Sequence, residues 1–244
     1  MLLISPGIIK WTDLDFGLPH LVSLGGYLQE TLDVRVELLD LSYEGGDHAH
    51  LQRTLESLGP YVLIGIACYS SYDYLRVMTL ARFLRGLYPD VPLVTGGYHV
   101  SALPNDLVFD GSPFDAAVVG EGEVPFRKIV ETVMGGGRIE HQIWGPCNLP
   151  NIDVLPPYRW DLLNRYWPKA KTIGRKFQIY FSRGCVYKCT FCMERAKTEY
   201  QWRAFSPERA IDELKRLSRY TDLDHWIINI ADPLFGFQRR WRRQ

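Results

Sequence analysis

The sequence predicts an α/β protein: a parallel sheet first, then the opening of an α/β barrel. In the first half of the chain, short β-branched or Leu-rich runs alternate with amphipathic stretches at helical spacing. The runs are almost continuously apolar, as expected for parallel strands that are covered on both faces. In the second half, a strand, a loop with three cysteines, a helix and another strand follow one another. A length of 244 residues suits one large domain or two modest ones, and we predict two.

Strands and helices alternate regularly in the first half. The expected strands are Leu2–Ser5, Val34–Leu39, Tyr61–Ala67, Val91–Thr95 and Ala116–Val119, with Ile139–Trp144 as an added edge strand. The expected helices are Pro19–Glu30, His48–Leu58, Tyr72–Leu87, Ala102–Phe109 and Val124–Met134. Ligands of parallel sheets bind beyond the carboxyl ends of the strands, so the loops after the strands form the candidate binding region.

Three of those loops carry small or polar residues. Cys68-Tyr69-Ser70-Ser71 follows the third strand, Gly96-Gly97-Tyr98-His99 the fourth, and Gly120-Glu121-Gly122-Glu123 the fifth. Gly96 and Gly97 remove side chains where a ligand or a tight turn needs close backbone approach. A structural role stands beside each ligand role, with His99 as a helix cap and Glu121 and Glu123 as acids at a helix N-terminus.

Composition predicts where the domains end. The first α/β domain covers 1–138 and ends near three consecutive glycines, and a linker over 139–176 is rich in Pro, Asn and aromatic residues. We expect this linker to pack, because its Trp and Tyr side chains are costly to leave in water. The second unit, 177–244, contains a strand at Phe177–Phe181, a helix that begins after Ser206, a strand at His225–Ile230 and a further helix from Asp232-Pro233.

Charge and hydropathy exclude several classes of function. The formal net charge is zero, from 28 basic and 28 acidic side chains, which argues against broad binding to nucleic acid or an anionic membrane. No apolar run approaches the ~18 residues needed to span a bilayer, and no signal peptide is recognised. Three of the five cysteines are clustered, which in a reducing compartment indicates a metal or redox site. We therefore expect a cytoplasmic protein.

The clustered cysteines follow a strand directly. Cys185, Cys189 and Cys192 have the spacing C-x3-C-x2-C, and Gly184 before them allows a sharp turn. Three thiolates on one loop can bind three corners of a [4Fe-4S] cluster and leave the fourth iron open to an external ligand. Alternatively, the three cysteines with a His or a distant Cys would hold structural zinc, although no second C-x2-C half is present.

This cysteine spacing, with Phe191 just before the last cysteine, resembles the radical S-adenosylmethionine (SAM) superfamily. Gly96-Gly97-Tyr98-His99-Val100-Ser101, Val119–Glu123 and Leu155-Pro156-Pro157, in this order ahead of the cysteines, resemble its cobalamin-binding members. The resemblance spans nearly the whole chain. It implies a flavodoxin-like (Rossmann-type) cobalamin-binding domain followed by the start of a radical SAM partial (β/α) barrel.

The resemblance also implies cofactors and site residues. Cys185, Cys189 and Cys192 would ligate the [4Fe-4S] cluster, SAM would chelate the open iron, and Phe191 would pack near its adenine. The implied cobalamin contacts are Ser70, Ser71, Gly96, Gly97, His99, Glu121, Gly122 and Glu123. The Asp-x-His-x-x-Gly motif of another cobalamin-domain type is absent, because Asp47-His48-Ala49-His50 has a different spacing. We therefore expect no axial histidine from the first loops.

The implied function is that of a cobalamin-dependent radical SAM enzyme, with methylation of an unactivated carbon as the commonest reaction. Implied partners are a small-molecule or peptide substrate and a reductant such as flavodoxin or ferredoxin. The residues after Cys192 suffice for a helix, a strand and the start of another helix, whereas a partial barrel needs about six strand–helix units. We therefore expect a fragment, a truncated gene product, or one part of a split enzyme in which a second chain would supply the missing strands. A non-catalytic corrinoid- or iron–sulfur-binding module, and a radical enzyme that has lost cobalamin, remain as alternatives.

Overall fold

The computed structural model of the chain describes residues 1–7, 16–45, 47–173, 176–194 and 201–243, with only the backbone at residue 173. Contacts divide the chain into two compact units: Met1–Ile8 with Leu28–Cys147, and Ile9–Tyr27 with Asn148–Gln244. This division differs from the domain boundaries at 138 and 176 that composition predicts. Those boundaries describe independent domains, and they stay a prediction. The end of the predicted linker, 174–175, lies outside the described residues.

The first unit is built on a parallel sheet. Its strands are β1 Leu2–Ser5, β2 Glu37–Asp40, β3 Ile64–Ala67, β4 Leu93–Gly96, β5 Ala116–Val118 and β6 Gln142–Trp144. Their order is β2-β1-β3-β4-β5-β6, and each neighbouring pair is parallel. The predicted α/β fold is confirmed, and the carboxyl ends of all these strands lie at one edge of the sheet.

The helices of the first half lie mostly where the periodicity predicted them. They are α1 Pro19–Thr31, α2 Leu41–Glu44, α3 His48–Leu58, α4 Tyr74–Leu87, α5 Tyr98–Ala102 and α6 Glu123–Met134. The Asp47 carboxylate accepts a hydrogen bond from the His50 N–H at 2.8 Å, which satisfies a free donor and explains why α3 begins at His48. The predicted helix Ala102–Phe109 is wrong: α5 ends at Ala102, and a 3₁₀ turn follows at Pro104–Asp106. Pro104 disfavours helical backbone at Leu103, which adopts φ −139°.

Both faces of the sheet are covered. On one face, aliphatic side chains of the strands pack against α3, α4 and α5 in a continuous buried cluster. On the other face, Phe126 of α6 lies against β3 at Gly65, where an added Cβ would stand 2.8 Å from the Phe126 ring. Gly65 therefore allows α6 to pack closely on the sheet.

The second unit contains short strands around the cysteines. β7 Lys176–Ile179 leads into β8 Ser182–Arg183, which pairs antiparallel with β9 Arg203–Ala204. Helix α8 Pro207–Leu217 follows, and β10 Ile227–Ile230 pairs in parallel with β7. Ser206 caps α8 by accepting a hydrogen bond from the Arg209 N–H. This strand, loop, helix and strand order matches the predicted beginning of a barrel.

The predicted helix at Asp232-Pro233 is wrong. In the described part of this segment, 232–243, the chain forms turns and one 3₁₀ helix, Trp241–Arg243. The Asp232 carboxylate accepts hydrogen bonds from Phe181 and Ser182 instead of capping a helix of its own. Gly236, with φ +62°, also interrupts helical backbone.

Aromatic residues of the predicted linker are buried in the second unit, as expected. Trp160 lies with its ring 5.0 Å from that of Phe177 in an edge-to-face arrangement, and Trp167 of α7 Trp167–Ile173 stacks on the same ring at 5.5 Å. Phe16, which forms a bridge with Phe177, meets Trp167 edge-to-face at 4.8 Å. The segment before β7 is therefore part of a hydrophobic core, and its aromatic rings pack against Phe177 of β7.

Candidate functional site

The loop after β3 closes on itself at the start of α4. The Ser70 N–H and hydroxyl both donate to Asp73 Oδ2, at 3.1 and 2.9 Å. Asp73 is buried, so these bonds are shielded from water and fix the loop backbone. Ser71, the next residue, is exposed.

The loops after β3 and β4 are in backbone contact. The Cys68 N–H donates to the Gly96 carbonyl at 2.7 Å. Gly97 has φ +122°, and a Cβ there would stand 2.5 Å from the Cys68 carbonyl oxygen. Only glycine fits both the backbone conformation and this approach. The sequence-based expectation of close backbone approach at this turn is met by the chain itself.

Ser101 joins the loop after β4 to the loop after β5. Its hydroxyl donates to the Gly97 carbonyl at 2.8 Å and accepts from the Gly120 N–H at 3.0 Å. Sequence reasoning quoted Ser101 within a motif but left it out of the predicted site. The signal that could have found it is its spacing, four residues after Gly97, which matches one helical turn.

His99 lies beneath the edge of the sheet and only 3% of it is exposed. Its Nδ1 and the Ser71 hydroxyl share a hydrogen bond of 2.9 Å, and its Nε2 lies 3.6 Å from Asp106 Oδ2. The Tyr74 ring is 5.5 Å away, and the Tyr74 hydroxyl donates to the Asp106 carbonyl at 3.3 Å. His99 therefore connects the loop after β3, helix α5 and the Pro104–Asp106 turn.

Ser71→Ala and His99→Ala should destabilise the first unit non-additively. Loss of the shared hydrogen bond should lower the free energy of unfolding by about 1 kcal/mol. In urea unfolding, the losses of the two single variants should therefore add up to about 1 kcal/mol more than the loss in the double variant. Ser57→Ala is the matched control, because Ser57 bonds to Thr54 within α3. Its effect should simply add to that of His99→Ala. Additive behaviour of the Ser71 pair would show that the bond carries no coupling.

The acidic residues of the loop after β5 are also buried. Glu121 and Glu123 are 3% and 4% exposed, Gly122 between them is half-buried, and Glu123 is the first residue of α6. The structure thus brings all three predicted loops to one edge of the sheet. The side chains of His99, Glu121 and Glu123 are buried there. In contrast, Ser70, Gly96 and Gly97 are partly exposed and Ser71 is exposed.

Large apolar side chains are exposed at the same edge, and sequence reasoning missed them. They come from the loop after β3, the start of α4 and the end of α5, and we call them the apolar edge surface: Tyr69, Tyr72, Leu75 and Leu103, exposed by 41%, 84%, 75% and 51%. The Tyr69 ring meets that of Tyr98 edge-to-face at 5.0 Å. Exposed apolar side chains beside the carboxyl ends of parallel strands make this surface a candidate for binding. The run of three tyrosines within six residues was the available signal.

Cys68 is a core residue and has no exposed surface. Burial, with a smaller contribution from the nearby Asp73 carboxylate, raises the pKa of the Cys68 thiol to about 12. The thiol is therefore protonated at neutral pH and unsuited to metal binding.

The cysteine loop begins with a sharp turn at Gly184, whose φ is +82°. Cys185 and Cys192 are half-buried, Cys189 is exposed, and Phe191 is 89% exposed. All these thiols are free. Across the described ranges, no three His, Cys, Asp or Glu side chains lie close enough to hold a metal ion. Three soft thiol donors on one loop suit an iron–sulfur cluster chemically, but this conformation does not gather them.

No helix in the described parts of the chain is long and apolar enough to cross a membrane.

Residues 19–130 match the B12 binding domain family. The class that the parallel sheet and its loops define is therefore a B12-binding domain. An uncharacterized methyltransferase of Pyrococcus horikoshii is 28% identical over 225 residues, 86% of this chain and 47% of that protein. The cobalamin-dependent radical SAM methyltransferase TokK of Streptomyces tokunonensis is 29% identical over 196 residues, 73% of this chain and 28% of TokK.

The radical SAM methyltransferase TsrM of Kitasatospora setae has a similar fold, with a TM-score of 0.74 at 18% identity, over 97% of this chain and 48% of TsrM. This chain is similar to cobalamin-binding radical SAM enzymes, as its motifs predict. It spans less than half the length of each of these relatives.

Proposed function

We propose that this chain is the cobalamin-binding and cluster-binding part of a radical SAM enzyme that methylates an unactivated carbon. One observation carries the proposal: a B12-binding domain and a C-x3-C-x2-C loop occur in this order in one chain. The relatives support the reaction type, since several are methyltransferases. The relative TsrM has been solved with cobalamin and a [4Fe-4S] cluster bound.

The residues at the edge of the sheet suit a corrin ring, which is a broad and largely apolar macrocycle. The apolar edge surface offers exposed side chains to the face of the ring. Gly96 and Gly97 are partly exposed and carry no side chains, so the ring can approach their backbone closely. We propose that Ser70, Ser71 and Gly122 line the same site, whereas His99, Glu121 and Glu123 support its loops from below. Because His99 is 3% exposed, we propose that its ring does not reach the bound cobalamin directly.

Cys185, Cys189 and Cys192 are the proposed cluster ligands, and Phe191 is exposed beside the last of them, where it would pack near the adenine of SAM. When bound, these cofactors would supply a methyl group on cobalamin and, from SAM, a 5′-deoxyadenosyl radical that abstracts hydrogen. The chain's own contribution would be to hold three irons through its thiolates and to leave the fourth open for SAM.

The proposed partners follow from the same reading. They are a small-molecule or peptide substrate and a reductant such as flavodoxin or ferredoxin. β10 pairs with β7 on one side, and Ile227 on β10 is 62% exposed. An exposed apolar strand supports the proposal that further barrel strands, from a continuation of this polypeptide or from a second chain, pair beside it.

Anaerobic reconstitution tests the proposal. Wild-type protein should take up about four irons per chain and retain stoichiometric hydroxocobalamin after desalting. Cys189→Ala should lose most of the iron but keep the cobalamin, because the two sites are in different units. Cys147→Ala is the matched control, since Cys147 is a free cysteine outside the loop and should change neither. Absence of cobalamin retention in wild type would contradict the cobalamin part, and iron uptake by Cys189→Ala equal to wild type would contradict the cluster assignment.

A further inference from the structure

We propose that Asp232 is a positioning residue for the cysteine loop: its carboxylate fixes Phe181 and Ser182, the residues that lead into Gly184 and Cys185. This inference rests on the proposed role of that loop in binding a cluster. Asp232 lies beyond the predicted site residues and was expected to begin a helix. Its actual partners are on the strand that leads into the cysteines.

The topology brings Asp232 to the cysteine loop. β10 pairs in parallel with β7, and the pairing continues one step further, because the Ala231 N–H donates to the Ile179 carbonyl at 3.0 Å. Asp232, which follows directly, therefore stands beside the residues that come after β7. This places a carboxylate at the carboxyl end of two neighbouring strands, where sites of parallel sheets are built.

Both oxygens of the Asp232 carboxylate are used. Oδ1 accepts from the Phe181 N–H at 2.8 Å, and Oδ2 accepts from the Ser182 hydroxyl at 2.6 Å. Ser182 is 1% exposed, so the second bond is shielded from water. Hydrogen bonds to a carboxylate are shorter and stronger than those between neutral groups. Asp232 thus fixes one backbone and one side-chain atom within four residues of Cys185.

The segment that carries Asp232 is itself braced against the loop. The Trp202 indole N–H donates to the Leu234 carbonyl at 2.7 Å, and the Trp202 ring lies 5.9 Å from that of Phe237. The Phe237 ring also meets the ring of Tyr187, which is within the cysteine loop, edge-to-face at 6.4 Å. Asp232 therefore acts from a fixed position, as a residue that orients ligands must.

Three thiolates bind one cluster only if the loop presents them within a fraction of an ångström, so the exit angle at Gly184 matters. Ser182 and Arg183 are held on one side by pairing with β9 and at Ser182 by Asp232. Loss of the carboxylate would remove a constraint on the residues that lead into the loop, without removing any of its three cysteines. Cluster uptake should then fall although every cysteine is present.

The test compares Asp232→Asn and Ser182→Ala with wild type in the full chain. Asp224→Asn is the matched control, because Asp224 is an exposed acid in the same unit. After anaerobic reconstitution with iron and sulfide, we expect Asp232→Asn to hold several-fold less iron and to show an altered EPR signal of the reduced cluster. Ser182→Ala should show a smaller loss, and Asp224→Asn should match wild type.

Hydrogen exchange of the apo-protein provides a readout that needs no cluster. Amides around Phe181 to Cys185 should exchange about tenfold faster in Asp232→Asn, the change expected for loss of a charge-assisted hydrogen bond. Amides of β10 should keep their wild-type rates, which a general loss of structure would not allow. If Asp232→Asn fails to fold, Ser182→Ala decides by the same measurements.

Wild-type iron content, EPR signal and exchange rates in both variants would overturn the proposal. Absence of iron in the wild-type protein would count against the proposed function alone, and the exchange rates would still decide whether Asp232 orders the loop. Faster exchange in β10 as well as in the loop would also overturn it, by assigning Asp232 to general stability.

Discussion

Replacing Arg209 with Ala should lower the free energy of unfolding of the second unit by about 3–5 kcal/mol, the cost of breaking a buried ion pair. The Arg209 guanidinium donates to Glu213 Oε1 at 2.8 Å, and Glu213 has no exposed surface. Arg209 also donates to the carbonyls of Leu155 and Pro156 at 3.1 and 2.9 Å. Without Arg209, two carbonyls lose a donor, and the buried Glu213 carboxylate loses its ion-pair partner while it keeps the hydrogen bond from the Tyr158 N–H at 3.2 Å.

The same helix provides the control. Arg216 forms an ion pair with Asp212 at 2.8 Å, with side chains 39% and 49% exposed. Arg216→Ala should therefore cost no more than about 1 kcal/mol. Urea unfolding followed by tryptophan fluorescence measures both variants, because Trp160 and Trp167 are in this unit. Similar costs for the two variants would contradict the role of Arg209.

The Arg209→Ala penalty should shrink in acid. Burial raises the pKa of Glu213 above its ordinary value, although Arg209 and the Tyr158 N–H act in the opposite direction. A carboxyl with a raised folded pKa binds its proton more tightly when folded, so its stabilising contribution is present below the unfolded pKa and is lost as pH rises through the folded pKa. Removing Arg209 raises that pKa further. The gap between variant and wild type should therefore narrow from neutral pH towards about pH 4.5, and a widening gap would refute this account.

Gly97→Ala should destabilise the first unit by about 2–5 kcal/mol, from a strained backbone and a steric clash together. Gly97 has φ +122°, and the new Cβ would meet the Cys68 carbonyl oxygen at 2.5 Å. That atom belongs to backbone at the end of β3, so it cannot rotate away. The loops after β3 and β4 would separate, and we expect cobalamin retention to fall as well.

Two other glycines separate strain from clash. Gly111 has φ +80° with nothing within 4 Å of its Cβ position, so Gly111→Ala should cost only the backbone strain, about 1–2 kcal/mol. Gly86 lies within α4, also with open space, and Gly86→Ala should stabilise the helix by about 0.5–1 kcal/mol. Urea unfolding should rank the variants in this order. If Gly97→Ala lowered the free energy of unfolding no more than Gly111→Ala, the loops after β3 and β4 would have separated without cost, which contradicts this prediction.

Elements with strong local signals were predictable to the residue. β1 Leu2–Ser5 and α3 His48–Leu58 have the bounds that the sequence predicts, because an unbroken apolar run defines one and a capping Asp47 the other. The helix predicted at Ala102–Phe109 does not form, because Pro104 disfavours helical backbone at the residue before it.

The candidate site was predictable in outline. Parallel strands end at one edge, so the loops that carry Ser70, Gly97 and Glu121 had to meet there. Which side chains face the solvent was not predictable. Polarity favoured His99 as a surface contact and gave no reason to select Tyr72, yet His99 is 3% exposed and Tyr72 is 84% exposed.

The sequence by itself determined the class of protein. Strand and helix periodicity, the order of the glycine-containing loops and the spacing of Cys185, Cys189 and Cys192 are local patterns, and each is specified within a few residues. Only the tertiary structure decided which residues support those loops. Asp232 reaches Phe181 across 51 positions and His99 reaches Ser71 across 28, and no local pattern encodes either contact. Such pairs form because the parallel register of neighbouring strands brings distant residues to the same edge of a sheet.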